Sequence, residues 1–487
     1  MLPHALRRMS SRSAATAAKR TAAISQHLMA ASTSAGPASF ESNAGMRRYI
    51  LNREAKLNAL NTDMINLLQP KLEEWSRSDL CQVVVGSGKG RGFCAGGDVA
   101  SVVQAAAEES TRSEAIEFFK KEFELDYALA TLPKPYVTIM DGITMGGGVG
   151  LCAGAPFRIA TENTKFAMPE TKIGYSPDVG ATYFLPRLDG QLGAYLALTG
   201  NTISGRDVFE LGLATHYVPS RRIPSLLDRL ASLEAVTLDR INQTIEELCP
   251  ERSDEPPNRL VGPARALIDS AFGYDKVEDI VEELELHAEK APRELASLSK
   301  DILDTLHQRS PTSLKVALRA VRKGASLSLL QCLRMELGIA AAFCSGASPD
   351  FITGVTHLLI AKQGGRPAWS PDALQDISDQ QVEDKFFSKQ KSPYLQELPE
   401  LSIPDFLDRT TERHPGRFAL PSEEEIEKAV VGDHETSGDM AVTLDELVEN
   451  FATLRPGKVG VSEKILEVVQ RRCRVSDDGY LEWVHRN

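Results

Sequence analysis

Two acidic residues lie close together in the stretch FAMPETKIGYSPDVGATYFLPRL, residues 166–188. Glu170 and Asp178 are eight positions apart, and their neighbours include apolar and aromatic side chains. A carboxylate in such surroundings costs free energy unless it is paired or used in function. A single acid of this kind is more often a helix cap or a surface residue. Two acids together favour general acid–base catalysis or nucleophilic attack.

Two glycine-rich turns accompany these acids. The turn GFCAGGD, residues 92–98, follows the apolar run VVVGSG, and MGGGVG, residues 145–150, follows VTIMDG. A helix that begins in such a turn leaves its first N–H groups without intrahelical partners. Two such turns facing each other would direct two N–H donors at one oxygen atom, which is the geometry of an oxyanion hole. The alternative for either turn is close packing of a strand on a helix, and neither matches a complete nucleotide-binding motif.

The elements that would position these residues alternate between strand and helix. Periodic apolar residues predict an amphipathic helix over 61–78, a helical stretch over about 101–130 and a helix that begins in the second glycine turn. Short apolar runs predict strands at MRRYIL, CQVVVGSG, PYVTIMDG, FRIAT and KFAMPE. This alternation indicates an α/β fold with a mainly parallel sheet and crossover connections.

Beyond about residue 220 the pattern is helical, and GGRPAWSP, residues 364–371, interrupts it. The last part of the chain is acidic, and SEEE at 422–425 and TLDE at 443–446 fit the capping box that opens a helix. This last part is therefore predicted to be folded, at least in part. The predicted divisions of the chain are a segment 1–44, a core 45–230, a helical region 231–370 and a C-terminal extension 371–487.

Composition limits the classes of function. The net charge of −12 argues against general nucleic-acid binding, which needs clustered Lys and Arg. No apolar stretch reaches the length of about 18 residues that a membrane-spanning helix needs, so no membrane partner is expected. The seven cysteines are scattered and form no C-x-x-C pair, which predicts a reducing compartment and neither a disulfide framework nor a zinc site.

The first forty residues differ from the rest of the chain. They contain five Lys or Arg residues, all within the first 20 positions, and no acid occurs before Glu41. A basic, Ser-rich start without acids is typical of a mitochondrial presequence. We expect import into the mitochondrial matrix and removal of this segment before about residue 45. The alternative is a disordered basic tail.

Six segments together match the motifs of one superfamily: LNREAKLNALN, GFCAGGD, ITMGGGVGL, FAMPETKIGYSPDVGATYFLPRL, LTG…SGRDVFELGLATHYV and SPTSLKVALRAV. On these motifs the chain resembles the crotonase (enoyl-CoA hydratase/isomerase) superfamily over roughly residues 45–370. The glycine turns are common to the superfamily, whereas PET-x-IG-x-x-PDVG is similar to its branch of 3-hydroxyisobutyryl-CoA hydrolases. The resemblance implies a spiral core of ββα units with a helical C-terminal region. To this the chain adds an α-rich tail.

The resemblance implies roles for five residues. Gly97 and Gly147 would donate their backbone N–H groups to the thioester oxygen of an acyl-CoA. Glu122 would contact the substrate. Glu170 would be the nucleophile or the general base, and Asp178 would orient the substrate or the water. The implied reaction is hydrolysis of 3-hydroxyisobutyryl-CoA in valine breakdown, and the residues leave open whether it passes through an anhydride.

The resemblance also implies a surface for CoA. Arg53, Lys56, Ala95 and Asp98 would hold the phosphates and the adenine, largely through backbone groups. Because CoA is part of the substrate, no separate cofactor and no metal are implied. The expected partners are the acyl-CoA substrate and further copies of the chain.

Two positions bear on the choice between a hydrolase and a hydratase. Hydratases of the superfamily hold a water molecule with two glutamates, and the position of the first is occupied here by Gly150. Asp178 lies where hydratases commonly have glycine. We therefore expect slow hydration and efficient hydrolysis. The stretch TGVTHLLIAK at 353–362 also departs from the family, because it lacks the acid and the arginine that many members carry in that helix. This difference affects either the packing of the helix or its contacts with CoA.

Two other functions stay open. Some fungal relatives of the hydrolase are proteins of the mitochondrial small ribosomal subunit, and the extension 371–487 suits such a structural role. The further alternative is an enoyl-CoA hydratase on the same fold.

Overall fold

A computed structural model describes residues 36–253, 255, 258–404, 407, 416–437 and 441–484. The predicted targeting segment therefore lies outside the described residues as far as residue 35.

A six-stranded sheet forms the centre of the fold, in the order β1-β2-β3-β5-β7-β10. Its first pair is antiparallel and all the other neighbours are parallel, as the strand–helix alternation predicted. The inner strands are buried on both faces, which explains their continuous apolar sequences. The strands are β1 (Ala38–Asn43), β2 (Met46–Leu51), β3 (Val83–Gly88), β5 (Tyr136–Met140), β7 (Phe157–Ala160) and β10 (His216–Tyr217).

A second sheet of four short strands has the order β4-β6-β8-β9. Strands β3, β5 and β7 of the central sheet are each followed along the chain by one strand of this second sheet. Each such pair of strands is followed by a helix, and repetition of this ββα unit produces a spiral. The spiral brings the ends of β4 and β6 side by side. The strands are β4 (Gly92–Cys94), β6 (Ile143–Met145), β8 (Lys165–Ala167) and β9 (Ile203–Ser204).

Helices surround the two sheets. Through residue 271 they are α1 (Thr62–Arg77), α2 (Val99–Ala107), α3 (Arg112–Ala130), α4 (Gly147–Ala153), α5 (Ala181–Phe184), α6 (Leu192–Thr199), α7 (Asp207–Glu210), α8 (Ile223–Ala231), α9 (Leu238–Glu246) and α10 (Gly262–Ala271). The later helices are α11 (Val277–Lys290), α12 (Arg293–His307), α13 (Pro311–Gly324), α14 (Leu329–Cys344), α15 (Asp350–Val355), α16 (Asp379–Val382), α17 (Glu423–Val431), α18 (Leu444–Leu454) and α19 (Val461–Arg472). A hairpin of β11 (Cys473–Val475) and β12 (Leu481–Trp483) follows α19.

The central sheet begins earlier than the sequence predicted. Strand β1 lies within the segment 1–44, which was predicted to precede the fold. It is an edge strand in which Ala38 is buried and Phe40 packs edge-on against Trp75, with ring centroids 5.8 Å apart, while its last three residues are exposed. Such a strand lacks the apolar alternation on which the boundary was based. A presequence must be cleaved before Ala38 if the sheet is to keep this strand.

The predicted helix over about 101–130 is two helices, α2 and α3. Thr111 closes the turn between them by donating its hydroxyl to the carbonyl oxygen of Ala105 at 2.8 Å. The long apolar run that follows residue 310 is likewise divided, into α13 and α14. Ser328 begins α14 with a complete capping box formed with Gln331. In both places a polar turn separates helices that share one apolar pattern.

The C-terminal extension packs on the same core as the rest of the chain. Buried residues of α17, α18 and α19 belong to one hydrophobic cluster with residues of the central sheet and of α6. The capping boxes predicted at Ser422 and Thr443 are confirmed, since each side chain accepts the N–H of the glutamate three residues on. No helix in the described ranges is long and apolar enough to cross a membrane.

A buried group of ion pairs fastens the extension to α10. Glu423 accepts hydrogen bonds from Arg471 at 2.7 Å and from Arg472 at 2.6 Å, and Arg265 of α10 lies 3.5 Å from the same carboxylate. Asp269 of α10 pairs with Arg265 at 2.8 Å and with Arg472 at 2.9 Å. Because these groups are largely shielded from water, removal of one carboxylate leaves buried guanidinium groups without full compensation.

We predict that Glu423→Ala lowers the free energy of unfolding by about 3 kcal/mol, because it breaks a buried charge network. Glu424→Ala is the matched control. Glu424 lies in the same first turn of α17, pairs with Lys428 and is 74% exposed, so its loss should change stability by less than about 0.5 kcal/mol. Urea unfolding of both variants makes the comparison, and equal effects would contradict this account of the docking.

Candidate active site

The two glycine-rich turns meet. One connects β4 to α2 through Gly96 and Gly97, and the other connects β6 to α4 through Gly146 and Gly147. A Cβ atom added to Gly147 would lie 3.2 Å from the backbone nitrogen of Gly97 and 2.2 Å from the Glu122 Oε1 atom. A side chain at this position would therefore fill the space between the turns, and only glycine leaves it open.

The N–H groups of Gly97 and Gly147 donate no hydrogen bond within the part of the chain that the structure describes. The neighbouring N–H of Gly146, in contrast, donates to the carbonyl oxygen of Ala167 at 3.3 Å. Two unoccupied donors in adjacent turns are the arrangement that an oxyanion hole requires. The assignment of Gly97 and Gly147 to that role stays a prediction.

Helix α3 brings two carboxyl groups to the turns. Glu122 and Asp126 are four residues apart, so they lie on one face of the helix. They are 2% and 4% exposed, and Glu122 Oε1 and both Asp126 oxygens have no hydrogen-bond partner among the described residues. Burial and the nearby Glu170 carboxylate raise the pKa of Glu122. Asp126 was not among the residues predicted from the sequence, although its spacing of four from Glu122 places it on the same helix face.

Glu170 lies against the second glycine turn. It is the first residue of a 3-10 turn, Glu170–Ile173, that follows β8. A Cβ atom on Gly146 would be 2.9 Å from the Glu170 Oε1 atom, and Oε2 has no hydrogen-bond partner among the described residues. Burial raises the pKa of Glu170 to about 8, and a hydrogen bond from its own backbone N–H offsets only part of that effect.

Asp178 faces the same buried space from the next loop. The hydroxyl of Tyr175 donates to its Oδ2 atom at 2.9 Å. Burial, with the charges of Glu122, Glu170 and Glu336, raises the pKa of Asp178 well above its ordinary value. The structure therefore brings together all five residues that the resemblance placed at the reaction centre.

Glu336 of α14 holds the chain just after Asp178. Its carboxylate accepts hydrogen bonds from the Gly180 N–H at 2.7 Å, the Thr182 N–H at 2.9 Å and the Thr182 hydroxyl at 2.6 Å. Burial still raises its pKa to about 7. Glu336 was not among the residues predicted from the sequence, where the available signal is an acid beside the apolar run LGIAAAF of a predicted helix.

The four residues predicted to hold CoA lie in two adjoining loops. Arg53 forms an ion pair with Asp98 at 2.9 Å, and Lys56 is exposed in the turn Glu54–Lys56. The N–H of Ala95 donates to the carbonyl oxygen of Leu57 at 3.0 Å. A backbone contact from Ala95 to CoA would therefore use its carbonyl oxygen.

A buried asparagine organises these loops. Asn58 accepts the Arg53 N–H at 2.8 Å and donates its side-chain amide to the carbonyl oxygens of Lys89 and Gly92 at 2.9 and 2.7 Å. These bonds join the loop after β2 to the start of β4. Asn58 lies in the motif LNREAKLNALN, whose sequence alone did not indicate this role.

Gly150 is required by packing. A Cβ atom there would be 2.6 Å from both the Asp126 Oδ2 atom and the Val179 Cβ atom. A glutamate at this position is therefore sterically excluded while Asp126 and Val179 keep their places. Within the described ranges, no group of three His, Cys, Asp or Glu residues is arranged to hold a metal ion.

A family model described as enoyl-CoA hydratase/isomerase matches residues 46–387. The chain belongs to the enoyl-CoA hydratase/isomerase family. Among solved structures, a carnitinyl-CoA dehydratase from Mycobacterium thermoresistibile aligns with a TM-score of 0.65 at 34% identity, covering 76% of this chain and 99% of that one. The predicted crotonase-type fold of this family member is confirmed.

Two curated relatives differ in how much of this family member they match. The small ribosomal subunit protein mS47 of Neurospora crassa is 40% identical over 459 residues, covering 91% of this chain and 87% of its own. The mitochondrial 3-hydroxyisobutyryl-CoA hydrolase of Gallus gallus is 38% identical over 371 residues, covering 75% of this chain and 93% of its own.

We predict that Gly150→Ala lowers the free energy of unfolding by about 1–3 kcal/mol, because the added methyl group collides with Asp126 and Val179. Gly338→Ala is the matched control. Gly338 also lies within a helix, but its added Cβ atom would meet only side chains at 3.5 Å or more, so the higher helix propensity of alanine should leave stability unchanged or raised by up to about 1 kcal/mol. Denaturant titrations compare the two variants. A Gly150 variant as stable as the Gly338 variant would contradict the packing described here.

Proposed function

We propose that this family member hydrolyses an acyl-CoA thioester, with 3-hydroxyisobutyryl-CoA as the substrate, in the valine breakdown of the mitochondrial matrix. The supporting observation is the pair of unoccupied N–H groups on Gly97 and Gly147 beside the carboxyl groups of Glu170 and Asp178. The names of the hydrolase relatives support the substrate and the compartment. Assembly into a homo-oligomer stays a prediction.

The two N–H groups would bind the thioester oxygen. When the carbonyl carbon becomes tetrahedral, its oxygen acquires negative charge, and each preorganised donor lowers the barrier by about 3 kcal/mol. Because the Glu122 carboxyl group lies beside Gly97 and Gly147, it would contact the acyl group next to this oxygen. The exposed Lys56 would reach a phosphate of CoA, whereas the charge of Arg53 is already compensated by Asp98.

Glu170 would act in one of two ways. As a nucleophile, its carboxylate oxygen bonds to the carbonyl carbon, the carbon–sulfur bond breaks, and water then cleaves the resulting anhydride. As a general base, it takes a proton from water, whose oxygen attacks the same carbon as the carbon–sulfur bond breaks. In both routes the departing CoA thiolate takes up a proton, and Asp178 orients the acyl group or the water.

We predict that Glu170→Gln and Asp178→Asn each lower kcat by a factor of about 10² or more, since each removes a carboxylate from the reaction. The KM for the CoA ester should change little, because the predicted CoA contacts lie in other loops. Glu117→Gln is the control, because Glu117 lies on α3 but is 43% exposed and pairs only with Lys120 among the ion pairs of the described residues.

Release of free CoA thiol from 3-hydroxyisobutyryl-CoA measures these rates, and hydration of crotonyl-CoA is assayed in parallel. Slow hydration by the unmodified protein is expected. Near-normal hydrolysis by Glu170→Gln, or fast hydration of crotonyl-CoA by the unmodified protein, would overturn the proposed function.

The reaction should also depend on the protonation of Glu170. Burial raises its pKa to about 8, and both proposed routes need its ionised form. We therefore predict that kcat/KM rises with pH through about 8, rather than near the ordinary glutamate value of about 4.3. Initial rates measured across this range test the prediction, and a rate that is already constant from pH about 5 upward would contradict it.

A second function is favoured by the extent of one match. The alignment with mS47 leaves less than a tenth of this chain outside it, so it includes most of the extension 371–487, whereas the hydrolase alignment covers 75%. We propose as the alternative that the chain is a component of the mitochondrial small ribosomal subunit. Sedimentation of a mitochondrial lysate through a sucrose gradient tests it. Co-sedimentation with the small subunit is expected under this alternative, and confinement to the soluble fractions would contradict it.

A further inference from the structure

Asp126 is the most isolated carboxyl group of the site. It is 4% exposed, and neither of its oxygens has a hydrogen-bond partner among the described residues. Three other buried carboxyl groups act on it, from Glu122 on its own helix, from Asp178 on the neighbouring loop and from Glu336 on α14. The lysine of α3 that forms ion pairs, Lys120, pairs with Glu117 and Glu124, and no ion pair of the described residues includes any of these four carboxyl groups.

The other titratable groups near Asp126 carry no positive charge. They are two thiols and three phenols. Burial raises the pKa values of Cys94 on β4, Cys152 on α4, Tyr49 on β2 and Tyr136 on β5, and Tyr183 of α5 lines the same cavity as Asp126. Tyr49 and Tyr136 bind each other, and Tyr136 donates to the carbonyl oxygen of Leu151. These neighbours therefore give an ionised Asp126 neither a cation nor a hydrogen-bond donor.

The carboxyl groups of the site differ in the donors that reach them. Glu336 accepts three hydrogen bonds, and Asp178 accepts one from Tyr175. Among the described residues, Glu122 and Glu170 each have one buried oxygen without a partner, whereas Asp126 has two. Hydrogen bonds to a carboxylate stabilise its ionised form, and burial without them favours the protonated form. When several carboxyl groups lie close together, the group that accepts the fewest hydrogen bonds is accordingly the one that stays protonated.

We infer that Asp126 is a positioning residue that stays protonated during the reaction and thereby allows Asp178 to be ionised in the same buried site. The inference rests on the proposed function, because it assigns Asp126 a task in that reaction. Asp126 acts through Asp178 and does not touch the reacting atoms. Consistent with this role, burial raises its pKa well above the ordinary value, as do the charges of Glu122, Asp178 and Glu336.

The packing around Asp126 leaves room for a protonated carboxyl group and a hydrogen-bond acceptor. Because Gly150 has no side chain, the Asp126 Oδ2 atom lies 2.6 Å from the point where a Cβ atom of residue 150 would be. A cavity of about 30 Å³ is lined by Asp126, Gly150, Val179 and Leu329 among others. This volume is enough for a water molecule, which could accept the proton of the carboxyl group in a hydrogen bond.

The variant Asp126→Asn tests the inference, because an amide has the shape of a protonated carboxyl group and cannot ionise. Its kcat at neutral pH should stay within about threefold of the unmodified protein, while Asp126→Ala, which leaves a hole, should lose activity that Asn restores. At high pH the unmodified protein should lose activity as Asp126 ionises beside Asp178. In Asp126→Asn this decline should be absent or displaced upward by about one pH unit or more.

Thermal unfolding without substrate gives a second readout. A carboxyl group whose pKa is raised by folding destabilises the folded state above its unfolded pKa of about 3.9, and increasingly so up to its folded pKa. The melting temperature of Asp126→Asn should therefore exceed that of the unmodified protein by a margin that grows as pH rises from about 4. A purely structural role for Asp126 would leave this margin independent of pH.

The two readouts separate this inference from the proposed function. If the unmodified protein does not hydrolyse the thioester, the proposed function fails and the assigned task fails with it, while the melting curves still decide whether Asp126 is protonated. A pH-independent margin, an Asp126→Asn variant that does not fold, or a loss of kcat by about 10² in a folded variant would each overturn the inference. The first would mean that folding does not raise the pKa of Asp126. The other two would mean that its carboxylate is needed for folding or for the reaction.

Discussion

Carboxyl groups crowd one buried space in this protein, and no cation in the described ranges pairs with them. They are Glu122, Asp126, Glu170, Asp178 and Glu336, each at most 6% exposed. Burial of several negative charges together is prohibitive, so protons and hydrogen-bond donors must be distributed among them. The surrounding structure meets this constraint with the Tyr175 hydroxyl at Asp178, three donors at Glu336 and two unoccupied backbone N–H groups at the glycine turns.

The spiral of ββα units brings these groups together from distant parts of the chain. Parallel pairing of β4 with β6 sets the two glycine turns side by side, and α3 crosses α4 where Gly147 and Gly150 have no side chains. The extension also reaches α3, since the Ser402 N–H donates to the buried Glu124 carboxylate at 2.6 Å. Helix α3 thus directs Glu122 and Asp126 to the site and Glu124 to the extension. The later part of the extension, from residue 416, pairs with Asp269 of α10 through Arg472, with Asp189 through Lys464 and with Glu246 of α9 through Lys458.

Local patterns were enough to predict much of this fold. The strand MRRYIL, the helix capped at Asn61 and the capping boxes of the extension depend on neighbouring residues, and the structure has all of them. The resemblance supplied the five residues that meet at the turns. Asp126 and Glu336 were missed because their importance comes from contacts with residues far away in the chain. Strand β1 was missed because an edge strand with one buried residue carries almost no apolar pattern.

The protonation of the buried carboxyl groups can be measured directly by infrared spectroscopy, which separates the C=O stretch of a protonated carboxyl group from the bands of a carboxylate. Spectra of the substrate-free protein at neutral pH would be compared with those of Glu122→Gln, Asp126→Asn and Glu170→Gln. The account predicts protonated-carboxyl bands in the unmodified protein, one of which is lost in Asp126→Asn and others of which disappear as pH rises. A spectrum with carboxylate bands alone would contradict it.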